Sequence, residues 1–241
     1  MPEGPPCRLL EWDSGFFGRR IARVCAARLG AGDAARIRRW AEAHAVECLY
    51  YRADAGDRES IRAAEEAGFR LTDVRVTRER PLDDPGGELP EGVGPSREGD
   101  LPALREIARV SHRDTRFYQD PRFPRERCDA LYETWIANAC AGRADHVLVA
   151  RSEGRVAGYV ACVLEPDQTG RIDLVAVHPA LRGRGIGERL VRGALARLAA
   201  EGCRRARVAS QARNIEAARL YERLGFRTVT VEHSYHLWPG A

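Results

Sequence analysis

Three glycines at alternate positions, Gly183, Gly185 and Gly187, are interleaved with Arg182, Arg184 and Ile186 in the stretch VHPALRGRGIG over residues 177–187. An apolar run, Ile172 to Val177, precedes the turn and reads as a strand. An amphipathic segment over 188–200 follows and reads as a helix. A strand that passes through glycine into a helix leaves backbone N–H groups without acceptors at the helix start. With the local dipole, those groups attract an anion such as a pyrophosphate. Glycine lets the backbone approach closely, and arginine adds charge. A glycine-rich turn without a ligand is the competing reading, because G-x-G-x-G alone is a weak signal. A dinucleotide turn is not expected, since it wants G-x-G-x-x-G and an acidic residue ending the next strand.

A second group of residues could supply protons or hold a partner. Tyr221 lies on a helical pattern with Ala217, Ala218 and Leu224, as a core aromatic or as a proton donor. Asn214 stands where that helix needs a cap. The stretch 112–127, HRDTRFYQDPRFPRER, reads as a polar loop. In it Arg113, Arg116 and Arg122 could grip phosphates, and Phe117 and Tyr118 could stack on a base or sugar. A solvated arginine loop is the plainer alternative. A general base is not singled out: Asp173, Asp73, His112, His178, Glu232 and His233 are all open, as is a relay of waters. The seven cysteines are scattered without a C-x-x-C pair, so neither a metal site nor a disulfide framework is expected.

The elements that must position these groups recur. A strand over 47–52 leads to a helix opening at Asp57 and ending at Gly68, and Phe69 to Arg78 alternates as a strand. The same order returns 157 residues later, with Asn214 for Asp57 and Gly225-Phe226 for Gly68-Phe69. The first copy has no arginine-glycine turn, and Ala64 stands where the second has Tyr221. It is expected to have lost the chemistry and to shape the acceptor site. Residues 8–29 read as strand, aromatic turn and strand. Residues 80–95, rich in Pro, Gly and acid, read as a linker. Asp100 is expected to cap a helix with Pro102 in its first turn. The resulting division is 1–92 for the first copy and linker, and 93–241 for the working domain. From residue 97 onward, the mixed order of strands and helices predicts an α/β (α+β) fold. Its sheet is mostly antiparallel with one parallel crossover.

Bulk properties exclude several classes. Hydrophobic content of 44% and charged content of 31% suit a globular chain, and no apolar run approaches a membrane span. No charged n-region followed by an apolar core opens the chain, so the cytoplasm is the expected location. All 39 basic residues are arginine, but 35 acidic residues nearly balance them and no long basic run occurs. Nucleic acid and membrane are therefore not expected partners. No pattern chooses between a monomer and a homodimer.

Arg182, Gly185 and Gly187 fit the Arg/Gln-x-x-Gly-x-Gly/Ala turn of the GNAT superfamily of N-acetyltransferases, which residues 97–238 resemble. The resemblance implies acetyl-CoA as cosubstrate and no metal. The cofactor would be held by Val175, Ala176, Val177, Arg182, Gly183, Arg184, Gly185, Ile186, Gly187, Asn214 and Ala217. It also implies Tyr221 as the acid for the departing thiolate, an oxyanion donor near Val175, and an acidic base near Asp173. Three further stretches resemble the nucleotide-sugar N-acetyltransferases of the dTDP-fucosamine type. They are Trp12-Asp13-Ser14-Gly15-Phe16-Phe17-Gly18, Arg116-Phe117 with Asp120, and Leu131-Tyr132-x-x-Trp135-Ile136-x-Asn138. That implies a small-molecule acceptor, the amine of a dTDP-linked deoxy-aminosugar. Other amines (an aminoglycoside, a polyamine, a protein N-terminus) remain alternatives, as does a non-catalytic acyl-CoA-binding module.

Overall fold

The computed structural model describes residues 4–30, 32–83 and 87–240. In chain order the first elements are β1 (Cys7–Leu9), α1 (Glu11–Phe17), β2 (Ile21–Val24), α2 (Asp33–Ala43), β3 (Cys48–Asp54), α3 (Arg58–Glu66) and β4 (Arg70–Pro81). Then come β5 (Val93–Pro95), α4 (Leu101–Ser111), α5 (Arg116–Gln119), α6 (Arg125–Asn138), β6 (His146–Ser152), β7 (Arg155–Glu165) and β8 (Thr169–Val177). The last four are α7 (Ile186–Ala200), β9 (Arg205–Gln211), α8 (Ile215–Arg223) and β10 (Arg227–Leu237).

Contacts divide the chain into two compact units. The first comprises Met1–Arg75, Thr115–Phe123 and Thr230–Ala241; the second comprises Val76–Asp114 and Pro124–Val229. Two of the boundaries fall inside the long strands β4 and β10. The single cut expected between residues 92 and 93 lies within the second unit. Residues 84–86 of the expected linker lie outside the described residues. Composition marks exposed backbone, whereas membership of a unit is decided by strand pairing.

In the first unit, β1 pairs antiparallel with β2, and β2 runs parallel to β3. The other edge of β3 takes β10, antiparallel from Glu232↔Asp54 to Leu237↔Leu49. Its core gathers Ile37, Ala41, Leu49, Tyr51, Ala64, Phe69 and Tyr235. The stretch expected as an aromatic turn is instead the helix α1. Trp12 and Phe16 stack at 5.1 Å, the i,i+4 contact that a helical turn provides and an open turn does not.

In the second unit, β5, β6, β7 and β8 form an antiparallel run, and β8 pairs parallel with β9. This is the expected mixed, mostly antiparallel sheet. The second half of β4 lies beside β9: Leu82 N–H donates to Arg204 C=O at 2.8 Å, and Arg207 ion-pairs with Glu79. Ile186, Leu190, Val191 and Leu198 of α7 pack with Val208, Tyr221 and Phe226 in one core. Asp100 does not cap α4 through its side chain. Its carboxylate accepts from Arg97 N–H and pairs with Arg151 instead.

The repeat holds at the level of single hydrogen bonds. Elements β3, α3 and β4 begin 157 residues before β9, α8 and β10. Asp57 accepts from Ser60 N–H at 3.2 Å, and Asn214 accepts from Ala217 N–H at 3.0 Å. Phe69 N–H donates to Ala64 C=O, and Phe226 N–H to Tyr221 C=O, each at 3.0 Å. An arginine from elsewhere caps each helix end, Arg38 on Ala67 C=O and Arg80 on Leu224 C=O. Each unit, however, takes its closing strand from the other copy. β10 completes the sheet around β3, and β4 completes the sheet around β9.

Candidate functional site

In the second unit the parallel pair β8–β9 comes apart. Pairing runs from Thr169↔Arg205 to Ile172↔Val208, while β8 continues to Val177 and β9 to Gln211. His178 N–H bonds Ala157 C=O on β7 at 2.9 Å. Strand groups alternate in direction, so Ala176 shares that edge, and Val175 and Val177 turn their N–H and C=O to the edge that β9 has left. The Val177 C=O there accepts from Ser111 Oγ at 3.3 Å and Arg182 Nε at 3.4 Å. Ser111 was not foreseen from sequence. It is brought in by the last turn of α4, and no spacing signal marks it.

The turn after β8 is open and unobstructed. Gly183 and Gly185 adopt φ of +77° and +73°, left-handed values that a side chain would strain, and nothing lies within 4 Å of a Cβ at either. Arg182 and Arg184 are exposed. No side chain caps α7, and its ladder starts only with Arg189 N–H on Gly185 C=O. The N–H groups before Arg189 therefore keep their donor capacity. Gly187 faces α8 and β8: a Cβ there would sit 3.5 Å from Leu220 and 3.8 Å from Val177. Val175, Val177, Leu181, Ala217 and Leu220 pack around the same core as Ile186 and Tyr221. The stretch 175–177, the turn 182–187, Asn214, Ala217 and Tyr221 thus converge within one unit. An uncapped helix start under an open, arginine-flanked turn suits an anion such as a pyrophosphate.

Tyr221 is 4% exposed, and its ring meets Phe226 edge-on at 5.6 Å. Burial pushes its phenol up to about 12, against the pull of Arg78. A phenol so raised stays protonated at neutral pH. His112, at the end of α4, bonds the Tyr159 hydroxyl at 2.8 Å and stacks on Tyr132. Burial, aided by Arg182, drives its imidazole down to about 4, so it is neutral at pH 7.

The base candidates are placed elsewhere. Asp173 is exposed and ion-paired with Arg171. Asp73 is buried in the first unit, where its carboxylate accepts from Val74 N–H. Glu232 pairs with Arg75 at 3.0 Å, also in the first unit.

The arginine-aromatic stretch is divided between the two units. Residues 115–123 group with the first unit, and Phe117 and Tyr118 are buried at 2% and 6% exposure. Phe117 stacks on Phe17 and meets Phe123 edge-on. The Arg116 guanidinium lies 3.9 Å over the Tyr50 ring and 4.4 Å over Phe117, and it donates to His236 Nε2 at 3.0 Å. These three side chains build an interior rather than a stacking platform. The cause is hydrophobic burial, which an alternation of Arg with aromatics does not reveal in sequence. Arg113 is exposed, in the second unit. Arg122 lines a cavity of about 260 Å³ in the first unit, with Arg38, Arg70 and Trp238. No cluster of three or more metal-ligating side chains occurs among the described residues. Among the described residues no helix is long and apolar enough to cross a membrane.

The profile described as "Acetyltransferase (GNAT) family" matches residues 102–226. Spore coat polysaccharide biosynthesis protein SpsD of Bacillus subtilis is 34% identical over 61% of this chain, which spans only about half (51%) of that protein. The dTDP-fucosamine acetyltransferase of Escherichia coli is 29% identical over 93% of this chain and 95% of its own length. A GCN5-related N-acetyltransferase from Sphaerobacter thermophilus superimposes with a TM-score of 0.67 at 21% identity, covering 98% of this chain and 77% of that one.

Proposed function

The chain belongs to the GNAT acetyltransferase family, and from that premise we propose that it acetylates the amine of a dTDP-linked deoxy-aminosugar with acetyl-CoA. For the cofactor, the supporting observation is the uncapped start of α7 beneath the Arg182–Gly187 turn. For the acceptor, it is the likeness to the dTDP-fucosamine acetyltransferase along nearly the whole of both chains. Acetyl-CoA supplies a thioester whose carbonyl can be attacked directly, without a covalent enzyme intermediate.

The roles follow from position. Backbone N–H groups of Gly185 to Glu188, with Arg182 and Arg184, hold the pyrophosphate. The Val175 N–H, on the edge left open by β9, receives the charge on the carbonyl oxygen. Tyr221 gives its proton to the departing sulfur. Asp173 is engaged by Arg171; the proton of the attacking amine is assigned to water. Arg113, exposed in the second unit, is left to meet acceptor phosphate.

The test is release of CoA thiol from purified protein given acetyl-CoA and a panel of amines. The panel holds dTDP-aminosugars, an aminoglycoside, a polyamine and a peptide N-terminus. Turnover confined to the dTDP-aminosugars is expected. Turnover only with the others sinks the acceptor assignment, and acetyl-CoA binding without any turnover sinks catalysis.

A further inference from the structure

Arg78 on β4 is a buried cation without an anion. It is 6% exposed, one Nη donates to Ser210 Oγ at 2.9 Å, and its Nε meets no acceptor. A buried charge is normally paired, because removal from water is costly. On the neighbouring strand Arg207 is paired, with Glu79 and Glu165. Among the described residues no carboxylate pairs with Arg78.

Its direction follows from strand register. Leu82 meets Arg204, Glu79 meets Arg207 and Arg78 meets Ser210, so β4 runs antiparallel to β9 and alongside α8. Arg80 reaches the end of α8, its Cδ 3.8 Å from a Cβ at Gly225. Arg78 is on the same face of β4, two residues or about 6.6 Å back. Tyr221 is three residues back from Leu224 along α8, about 4.5 Å. The two offsets bring Arg78 on β4 abreast of Tyr221 on α8, and Arg78 is the one charge that pulls that phenol down against burial.

The other copy supplies a contrast. The residue 157 positions after Arg78 is Tyr235, which closes the first unit. Tyr235 is fully buried and donates its hydroxyl to Glu65 at 3.1 Å. Where Ala64 replaces the acid, a neutral ring fills the place. Where Tyr221 is kept, a charge is kept.

We propose that Arg78 is the electrostatic partner of Tyr221, holding the phenolate formed when Tyr221 protonates the leaving thiolate. The proposal rests on the acetyl-transfer reading with Tyr221 as acid. The amine nitrogen bonds to the thioester carbon, the C–S bond breaks, and its electron pair goes to sulfur. The Tyr221 proton then goes to sulfur, giving the free thiol. The phenolate, beside Arg78, regains a proton through water from the nitrogen of the new amide. Nothing is oxidised or reduced.

Two measurements test it. In protein without acetyl-CoA, 3-fluorotyrosine placed at position 221 is titrated by ¹⁹F NMR. Arg78→Met is expected to move that titration to higher pH by about one unit or more, and Arg78→Lys to leave it nearly in place. In turnover, Arg78→Met is expected to lower kcat at least about tenfold with the acetyl-CoA KM within about threefold, and Arg78→Lys to recover most of the loss. Added to Tyr221→Phe, Arg78→Met is expected to cost less than about twofold more. An unmoved titration, a loss carried by KM, or costs that multiply in the double variant would overturn the proposal. If Arg78→Met does not fold by circular dichroism, Ser210→Ala, which frees the guanidinium from its one bond, takes its place. A small fall in kcat that vanishes in Tyr221→Phe is then expected, and a fall that persists overturns the proposal. Full activity of Tyr221→Phe alone removes the underlying reading. A crippled Tyr221→Phe with an indifferent Arg78 removes only the partnership.

Discussion

At the scale of the residue, Tyr221 carries the sharpest expectation. Tyr221→Phe removes one oxygen from a ring already packed on Phe226, so the fold should persist. Turnover should fall about 100-fold or more while acetyl-CoA affinity, read by calorimetry, stays within about threefold. His236 makes a different prediction. It is 1% exposed, with Asp120 on Nδ1 at 2.7 Å and the Arg116 guanidinium on Nε2. Arginine can only donate, so Nε2 accepts and the proton sits on Nδ1. A second proton would face a cation in a buried place, and burial holds this imidazole down to about 4. Since the folded value lies below the ordinary one, the stability is present above about pH 6.5 and lost as pH falls toward 4. Thermal melts across that window should drop with a slope near 1.4 kcal/mol per pH unit for this histidine, and more where His112 adds to it. His236→Gln should flatten the slope; an unchanged slope would mean that the histidine is not held neutral.

At the scale of the element, the approach of β7 to β8 fixes the edge on which the proposed chemistry depends. A Cβ at Gly158 would stand 2.6 Å from the Ala176 carbonyl and 3.0 Å from Leu190. Gly158→Ala should therefore displace backbone, costing about 1–3 kcal/mol in urea unfolding and lowering kcat together with stability. Gly185→Ala meets open space but a φ of +73°. It should cost about 1–2 kcal/mol in urea unfolding and, where the turn relaxes instead, raise the acetyl-CoA KM roughly tenfold. These two elements also show what the sequence conveyed. The strand, glycine turn and helix around residue 185 were legible, because spacing and backbone chemistry coincide there. The caps at Asp57 and Asn214 were legible for the same reason, and so was the repeat. The helix α1 was not, because Gly15 and three aromatics disguise an i,i+4 stack as a turn. The burial of Phe117, Tyr118 and Phe123 was not legible, because the interior they face is created only by tertiary packing. Arg78 was missed because a lone arginine on an alternating strand looks like any solvated residue.

At the scale of the whole molecule, neither copy of the repeat carries the strand that closes its own sheet. Removing one copy would leave the other with a bare sheet edge, so a copy that has lost its acid still cannot be discarded. Urea unfolding followed by fluorescence should consequently give one transition. Reporters confined to the first unit (Trp12, Trp40, Trp238) and to the second (Trp135) should share a midpoint. Separate midpoints would show that each unit holds together on its own strands.

The same exchange sets an order of events as the chain leaves the ribosome. β3 is made early, yet its partner is β10, with Arg52 awaiting Ser234. Until that strand emerges, the open edge of β3 is a template for any passing extended peptide, a neighbouring nascent copy included. The first unit to be translated is thus among the last to be closed, and chaperone demand should fall on it during synthesis.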